Sequence, residues 1–153
     1  MRHSQKGFTL IEILLVVAAI AILAGIVVVA VNPAKQLAAT RDSERNSEVG
    51  AIAGALYQAQ VGEVSLTIPD GTCTPGTAAQ KLCTGAVVST GDDQCGVTIA
   101  GAVPVYLDSV PTDPQEATAN WTGYFIAKNA TSGRITVCAE PETEGASTIA
   151  VTR

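Results

Sequence analysis

From residue 8 to residue 31 the chain reads FTLIEILLVVAAIAILAGIVVVAV, 24 positions with a single charge, Glu12. As a helix this run is about 36 Å long at 1.5 Å per residue, enough to cross the hydrocarbon core of a bilayer. In front of it stands MRHSQKG, whose Arg2 and Lys6 would hold the N-terminus on the cytoplasmic side and leave the rest of the chain outside. After Pro33 the pattern changes. One side of the next thirty residues is polar, while Val49, Ile52, Leu56 and Ala59 recur at spacings of three and four on the other, which predicts an amphipathic helix ending near Gly62 and packing its apolar face on a sheet.

Beyond Gly62 the pattern is of short β segments. Residues 63–96 are rich in Thr, Gly, Pro and Ser and predict a long connection with short strands near 64–68 and 86–88. Residues 97–99 and 103–107 read as strand or short helix. Segments 123–128 and 134–139 collect β-formers around the turn-like 129–133 and predict a hairpin, and 148–152 adds a further edge strand. The expected class is α+β: a long N-terminal helix, hydrophobic in its first half and amphipathic in its second, packed on a small antiparallel β-sheet head. The divisions are 1–7, a leader; 8–32, the hydrophobic helix; 33–62, the amphipathic helix; and 63–153, the β-rich head.

The apolar run alone admits three readings. A secretory signal has an apolar core of about 7–15 residues, shorter than this one, although a small-x-Ala site near Ala30 fits it. An uncleaved signal anchor fits the length and the basic flank. Glu12 separates these from the third. A carboxylate near the start of a membrane helix costs several kcal/mol, about 3 on insertion scales, unless it faces water or finds a partner. If the chain is cut between Gly7 and Phe8, the new amine of Phe8 lies one turn from Glu12, and Glu12 of one subunit can neutralise the amine of its neighbour. Gly7, with no side chain, leaves the backbone open to a protease. Gly25 and Asn32-Pro33 interrupt the helical pattern, Pro33 by removing a donor and crowding the preceding turn, so the 25–33 stretch is expected to kink, or to bend or melt on assembly.

The heptapeptide KGFTLIE, residues 6–12, followed by an unbroken apolar helix, resembles the signature of type IV prepilins and their pseudopilin relatives. The resemblance implies a type IV pilin-like fold, cleavage after Gly7 by a membrane aspartic prepilin peptidase that also N-methylates Phe8, and polymerisation through the apolar helix at the filament centre, with Phe8 and Glu12 in subunit docking. It implies as partners other copies of the chain, the peptidase/methyltransferase, an inner-membrane assembly platform and, before assembly, membrane lipid. The precursor would sit in the inner membrane and the product in an extracellular pilus, or in the periplasm for a pseudopilin of a type II secretion machine. The looser match of YLDSVPTDP, residues 106–114, leans toward the pseudopilins, whereas a cysteine-bearing head leans toward a pilus.

Charge and composition narrow the function further. The formal charge is −5, and loss of Arg2 and Lys6 would take it to −7, so a phosphate backbone meets an adverse average field and no nucleic-acid partner is expected. The only histidine, His3, lies in the leader, which leaves the mature chain without an imidazole for general-base, nucleophile or metal chemistry. No phosphate loop or dinucleotide motif is present. The chain is therefore read as a non-enzymatic protein without a cofactor, against the alternatives of an exported binding domain on a signal anchor and a secreted enzyme of unrecognised type.

Aromatics are few, which suits a thin β-rich head that needs cross-links. Cys73, Cys83, Cys95 and Cys138 all follow the apolar run and predict two disulfides. Three pairings are possible and sequence does not choose among them; Cys73–Cys83 with Cys95–Cys138 is preferred, because the first closes a short loop. Asp108, Asp113 and Glu116 are candidate calcium ligands, since some relatives bind the ion in this region, but they fit no fixed loop motif and read better as surface carboxylates around a turn. The alternating charges Arg41, Asp42, Glu44, Arg45 and Glu48 read as a solvated helix face. Trp121, Tyr124 and Phe125 read as core or subunit interface.

Overall fold

A computed structural model describes residues 7–91 and 93–153. The basic leader positions Arg2, His3 and Lys6 lie outside the described residues. The chain divides into two compact units, 1–37 and 38–153.

The first unit carries α1, Leu10–Val31, 22 residues of which none is buried. Its apolar character is uniform around the helix, so no stripe marks an internal packing face. By length and composition it can cross a membrane. The interruption falls at one residue. Asn32 adopts the left-handed conformation (φ 45°), closes α1, and starts α2, Pro33–Val61, by accepting from the backbone N–H of Lys35 on its side-chain oxygen at 3.3 Å. Pro33 occupies the first helical position, where its missing N–H costs nothing. Gly25, expected to break the helix, lies within regular α1; glycine keeps its N–H and disfavours helix by only about 1 kcal/mol.

In the second unit α2 buries Val49, Ile52, Leu56 and Ala59, the predicted apolar face. The helix ends in a left-handed turn in which Val64 donates to the Ala59 carbonyl at 2.9 Å. The residue with positive φ there is Glu63 (φ 58°), one beyond the glycine that was expected to end the helix. The sheet is antiparallel in the order β1, Lys81–Cys83; β2, Trp121–Lys128; β3, Ile135–Ala139; and β4, Ile149–Thr152. The expected hairpin is β2–β3. Asn129 organises its turn, accepting from the N–H groups of Thr131 and Ser132 at 3.0 and 2.8 Å, and Gly133 supplies the positive φ.

Alternation along β2 serves both faces of the sheet. Tyr124 and Ile126 join Val137, Leu82, Val97 and Ile99 in the core cluster with the α2 residues. Phe125 and Cys138 are paired across β2 and β3 and are buried outside that cluster. Trp121 packs edge-on to Phe125, with the Lys81 ammonium 4.2 Å from its ring centroid.

Much of 63–120 is held without strands. The expected strand at 64–68 does not form, that at 86–88 reduces to the isolated bridge of Val88 to Cys95, a further bridge joins Asp70 to Lys128, and 103–106 is turn. These bridges explain why the disulfides are Cys73–Cys138 and Cys83–Cys95, a correction to the expected pairing. Val88 and Cys95 exchange backbone hydrogen bonds at 3.1 and 2.8 Å, and Cys83 donates to Val97 at 2.7 Å, which brings Cys95 within 5.3 Å (Cα–Cα) of Cys83. The 69–71 segment binds Lys128 at the end of β2, so Cys73 passes along the sheet and reaches Cys138 on β3. Buried Gln80 ties the same loop through the Thr74 N–H at 2.8 Å and the Thr72 carbonyl at 2.9 Å.

Candidate assembly site

Thr9 caps α1. Its hydroxyl accepts from the Glu12 N–H at 3.3 Å, while the Glu12 carboxylate accepts from the Thr9 N–H at 3.3 Å and hydroxyl at 3.2 Å. This reciprocal capping box satisfies two donors that every helix start leaves open. The signal that could have found it, Thr-x-x-Glu before an apolar run, stands in FTLIE. It places the carboxylate at the positive end of the helix dipole, one turn from Phe8. Gly7 and Phe8 precede the helix, and Phe8 is exposed. Leu10, Ile13, Leu14, Val17, Ala18 and Ala21 form an apolar groove down one side of α1. The geometry offers a carboxylate held beside an accessible chain segment, on a helix whose apolar side chains are all exposed.

The second unit buries charges expected on a solvated helix face. Arg45 is only 2% exposed. Its guanidinium grips Asp113 through Nε to Oδ2 and through Nη2 to Oδ1 at 3.2 Å, and Nη1 donates to Asp42 at 3.0 Å. Asp113 also accepts from the Gln115 and Glu116 N–H groups, both at 2.8 Å. Burial by itself would raise the Asp113 pKa; the Arg45 guanidinium and the two N–H groups overcome that and hold it below the ordinary carboxylate value. Asp42 follows the same logic. Burial opposes ionisation, but Thr143, the Glu142 and Thr143 N–H groups and Arg45 bring its pKa down to about 2. Arg41 pairs with Glu142. Tyr124 donates its hydroxyl to Glu48, and burial first, then that carboxylate, push the phenol well above its usual pKa.

The solvated helix face is thus corrected at Arg45, Asp42 and Glu48, because the 113–118 turn and the loop after β3 fold over this side of α2. The same packing corrects the surface reading at Asp113. Asp113 is an internal ion pair with both oxygens engaged, while Asp108 and Glu116 are exposed, and no three acidic or sulfur ligands converge among the described residues. Gly123 sits where this turn crosses β2. Its φ is +93°, and a side chain there would collide with the Asp113 Cβ. All four cysteines are in disulfides.

Residues 2–28 match the prokaryotic N-terminal methylation motif, the type IV pilin and pseudopilin signature. The rest of the chain carries that signature on a long N-terminal helix and a small four-stranded antiparallel sheet, the α+β layout of pilin-like folds. No curated protein and no solved structure matches the chain. The match thus supports a type IV pilin-like or pseudopilin N-terminus over residues 2–28, and a motif of this kind implies processing by prepilin peptidase and assembly into a pilus or pseudopilus. The apolar helix fits a membrane-anchored precursor.

Proposed function

We propose that this chain is a structural subunit of a type IV pilus, released from its leader by cleavage between Gly7 and Phe8, methylated on Phe8 and assembled through α1. The observation that carries the reading is the methylation-motif match, which falls on a helix with no buried residue and one charge. In the precursor Glu12 is occupied by Thr9 of its own chain. After cleavage the charged Phe8 amine of a neighbour is a stronger partner than a neutral N–H, because both partners are ionised and the site is shielded from water.

In this reading α1 lies in lipid before assembly and in the filament centre afterwards, residues 33–62 connect it to the head, and 63–153 faces outward at the cell surface. Gly25, the weakest position of α1 by propensity, is where the helix opens during packing. Two experiments test the proposal. Intact mass of protein from the native membrane is expected to start at methylated Phe8; a chain starting at Met1 or after Ala30 would remove the proposal. Replacing Glu12 with Ala is expected to abolish filaments while the head stays folded, and normal filaments from that variant would refute the amine pairing. The loop resemblance at 106–114 favours a pseudopilus as the second reading. Fibres at the cell surface containing this chain decide for the pilus, and envelope-confined material decides for the pseudopilus.

A further inference from the structure

Among the charges of the head, Arg134 and Arg153 lie at one end of the sheet, where Glu63 and Asp70 also lie, and Glu140 and Glu144 at the other. β3 has Arg134 immediately before it and Glu140 immediately after it, so at about 3.3 Å per residue these two are roughly 20 Å apart. β4 returns antiparallel. Arg153 exchanges backbone hydrogen bonds with Ile135 at 2.9 and 3.0 Å, which sets it at the Arg134 end, while Ile149 lies beside Ala139 at the other.

At the first end, a cleft of about 280 Å³ lies between the last turn of α2 and the β2–β3 turn, lined by Tyr57, Gln60, Val61, Gly133, Arg134 and Arg153. Both arginines are exposed and neither has an ion-pair partner among the described residues, whereas Lys128 at this end is already 3.7 Å from Asp70. At the opposite end the loop after β3 presents Glu140, Glu142 and Glu144. Glu142 is taken by Arg41, with Arg45 at 3.7 Å, and the Glu142 and Thr143 N–H groups bind Asp42 at 2.7 and 2.9 Å, which pins the loop to α2. Glu140 and Glu144 stay exposed and unpaired among the described residues, and both line a hollow of about 420 Å³.

Two unpaired cations at one end and two unpaired anions at the other cannot meet within a chain, since 20 Å exceeds the Debye length of about 8 Å at physiological salt. A second copy displaced along the β3 direction brings them together. Acidic heads repel one another on average, so copies that stack do so where opposite charges face. We propose that heads of this chain contact end to end, Arg134 and Arg153 of one copy receiving Glu140 and Glu144 of the next. The proposal rests on the filament reading above. A contact between two different surfaces of one chain does not close on itself, which suits an open helical assembly.

The test uses the full-length chain in its native membrane, with chemical crosslinking to count oligomers. The charge-reversed pairs R134E/R153E and E140R/E144R are each expected to lower crosslinked oligomer about tenfold, and the four-fold swap to recover to within about threefold of the parent, because complementarity is restored. A non-reducing mass check confirms both disulfides in every variant. If the parent forms oligomers and the reversed pairs form them equally well, the end-to-end contact is wrong and the filament reading stands; if the parent forms none, both fall. A second readout covers variants that fail to fold. Arg134→Lys keeps the charge and gives a carbodiimide an amine, and in mixed light and heavy isotope chains a link between chains from that amine to Glu140 or Glu144 supports the contact. Absence of that link in assembled protein overturns it.

Discussion

Replacing Arg45 with Met leaves Asp113 buried without its counter-ion, and the size of the penalty follows from the surroundings. Asp113 is 2% exposed, and of its partners only the Gln115 and Glu116 N–H groups would remain. Breaking a buried ion pair by removing one member costs about 3–5 kcal/mol. The carboxyl can escape by taking up a proton, which at pH 7 costs about 4 kcal/mol for an ordinary pKa near 3.9 at 1.36 kcal/mol per unit. The two limits agree, so about 4 kcal/mol is expected, a large part of the 5–15 kcal/mol that a domain commonly has. Urea unfolding of the full chain in detergent, followed by the fluorescence of Trp121, the only tryptophan, should show the midpoint lowered by roughly 2 M. The penalty should shrink as the pH is brought from 7 to 4, because protonation of Asp113 becomes easier. In R45M/D113N the neutral amide keeps an oxygen for the two N–H groups, and the loss should fall to about 1–2 kcal/mol. A midpoint for Arg45→Met within about 0.5 M of the parent, at a typical slope of 1–3 kcal/mol per M, would show that the pair contributes little and that the buried-charge account is wrong.

Other outcomes can be stated from the same structure. Asp42 and Asp113 both titrate lower in the folded chain than in the unfolded one, so the unfolded chain binds more protons below about pH 4; their contribution is intact above that value and is lost as pH falls toward about 2, which an acid titration of Trp121 fluorescence should follow. Ile52→Ala removes a side chain with no exposed surface from the α2 face and should cost about 2–5 kcal/mol in the same urea assay. Gly123→Ala meets both a left-handed φ and Asp113, and should destabilise the head by about 3 kcal/mol, more than alanine at Gly76, which has a positive φ but open space around it. Removing Cys73–Cys138, separated by 65 residues, should cost about 1.5 kcal/mol more in chain entropy than removing Cys83–Cys95, separated by 12, as read by comparing the two Cys→Ala pairs in thermal melts.

The parts legible in the sequence are those where one strong local pattern decides. Twenty-four nearly uncharged residues leave α1 no other state, and the spacing of Val49, Ile52, Leu56 and Ala59 gave the buried face of α2 without any knowledge of the sheet. Asn129 to Gly133 carries its own turn chemistry, so the β2–β3 hairpin was visible. What failed to appear was set by distant partners. Arg45 looks like any helix-surface arginine until the turn 68 residues later lands on it. The three-residue β1 has no pattern of its own and exists because β2 is beside it. Disulfide pairing was opaque for the same reason, since it is decided by two backbone bridges between loops. At the N-terminus, the Thr9–Glu12 capping box is written in KGFTLIE as Thr-x-x-Glu, but it is seen only by noticing that the motif is also a helix start.

No residue of α1 is buried within its own chain, and this divides the protein's tolerance to change. Substitutions between positions 10 and 31 that keep the run apolar change no buried side chain, so a screen scored on the protease resistance of the head is expected to find them silent. A screen scored on assembled material would find the reverse at those positions and would still register Val49, Arg45 or Gly123. Two mutational maps of one sequence, overlaid, would therefore draw the boundary between what the molecule needs for itself and what it owes to its neighbours.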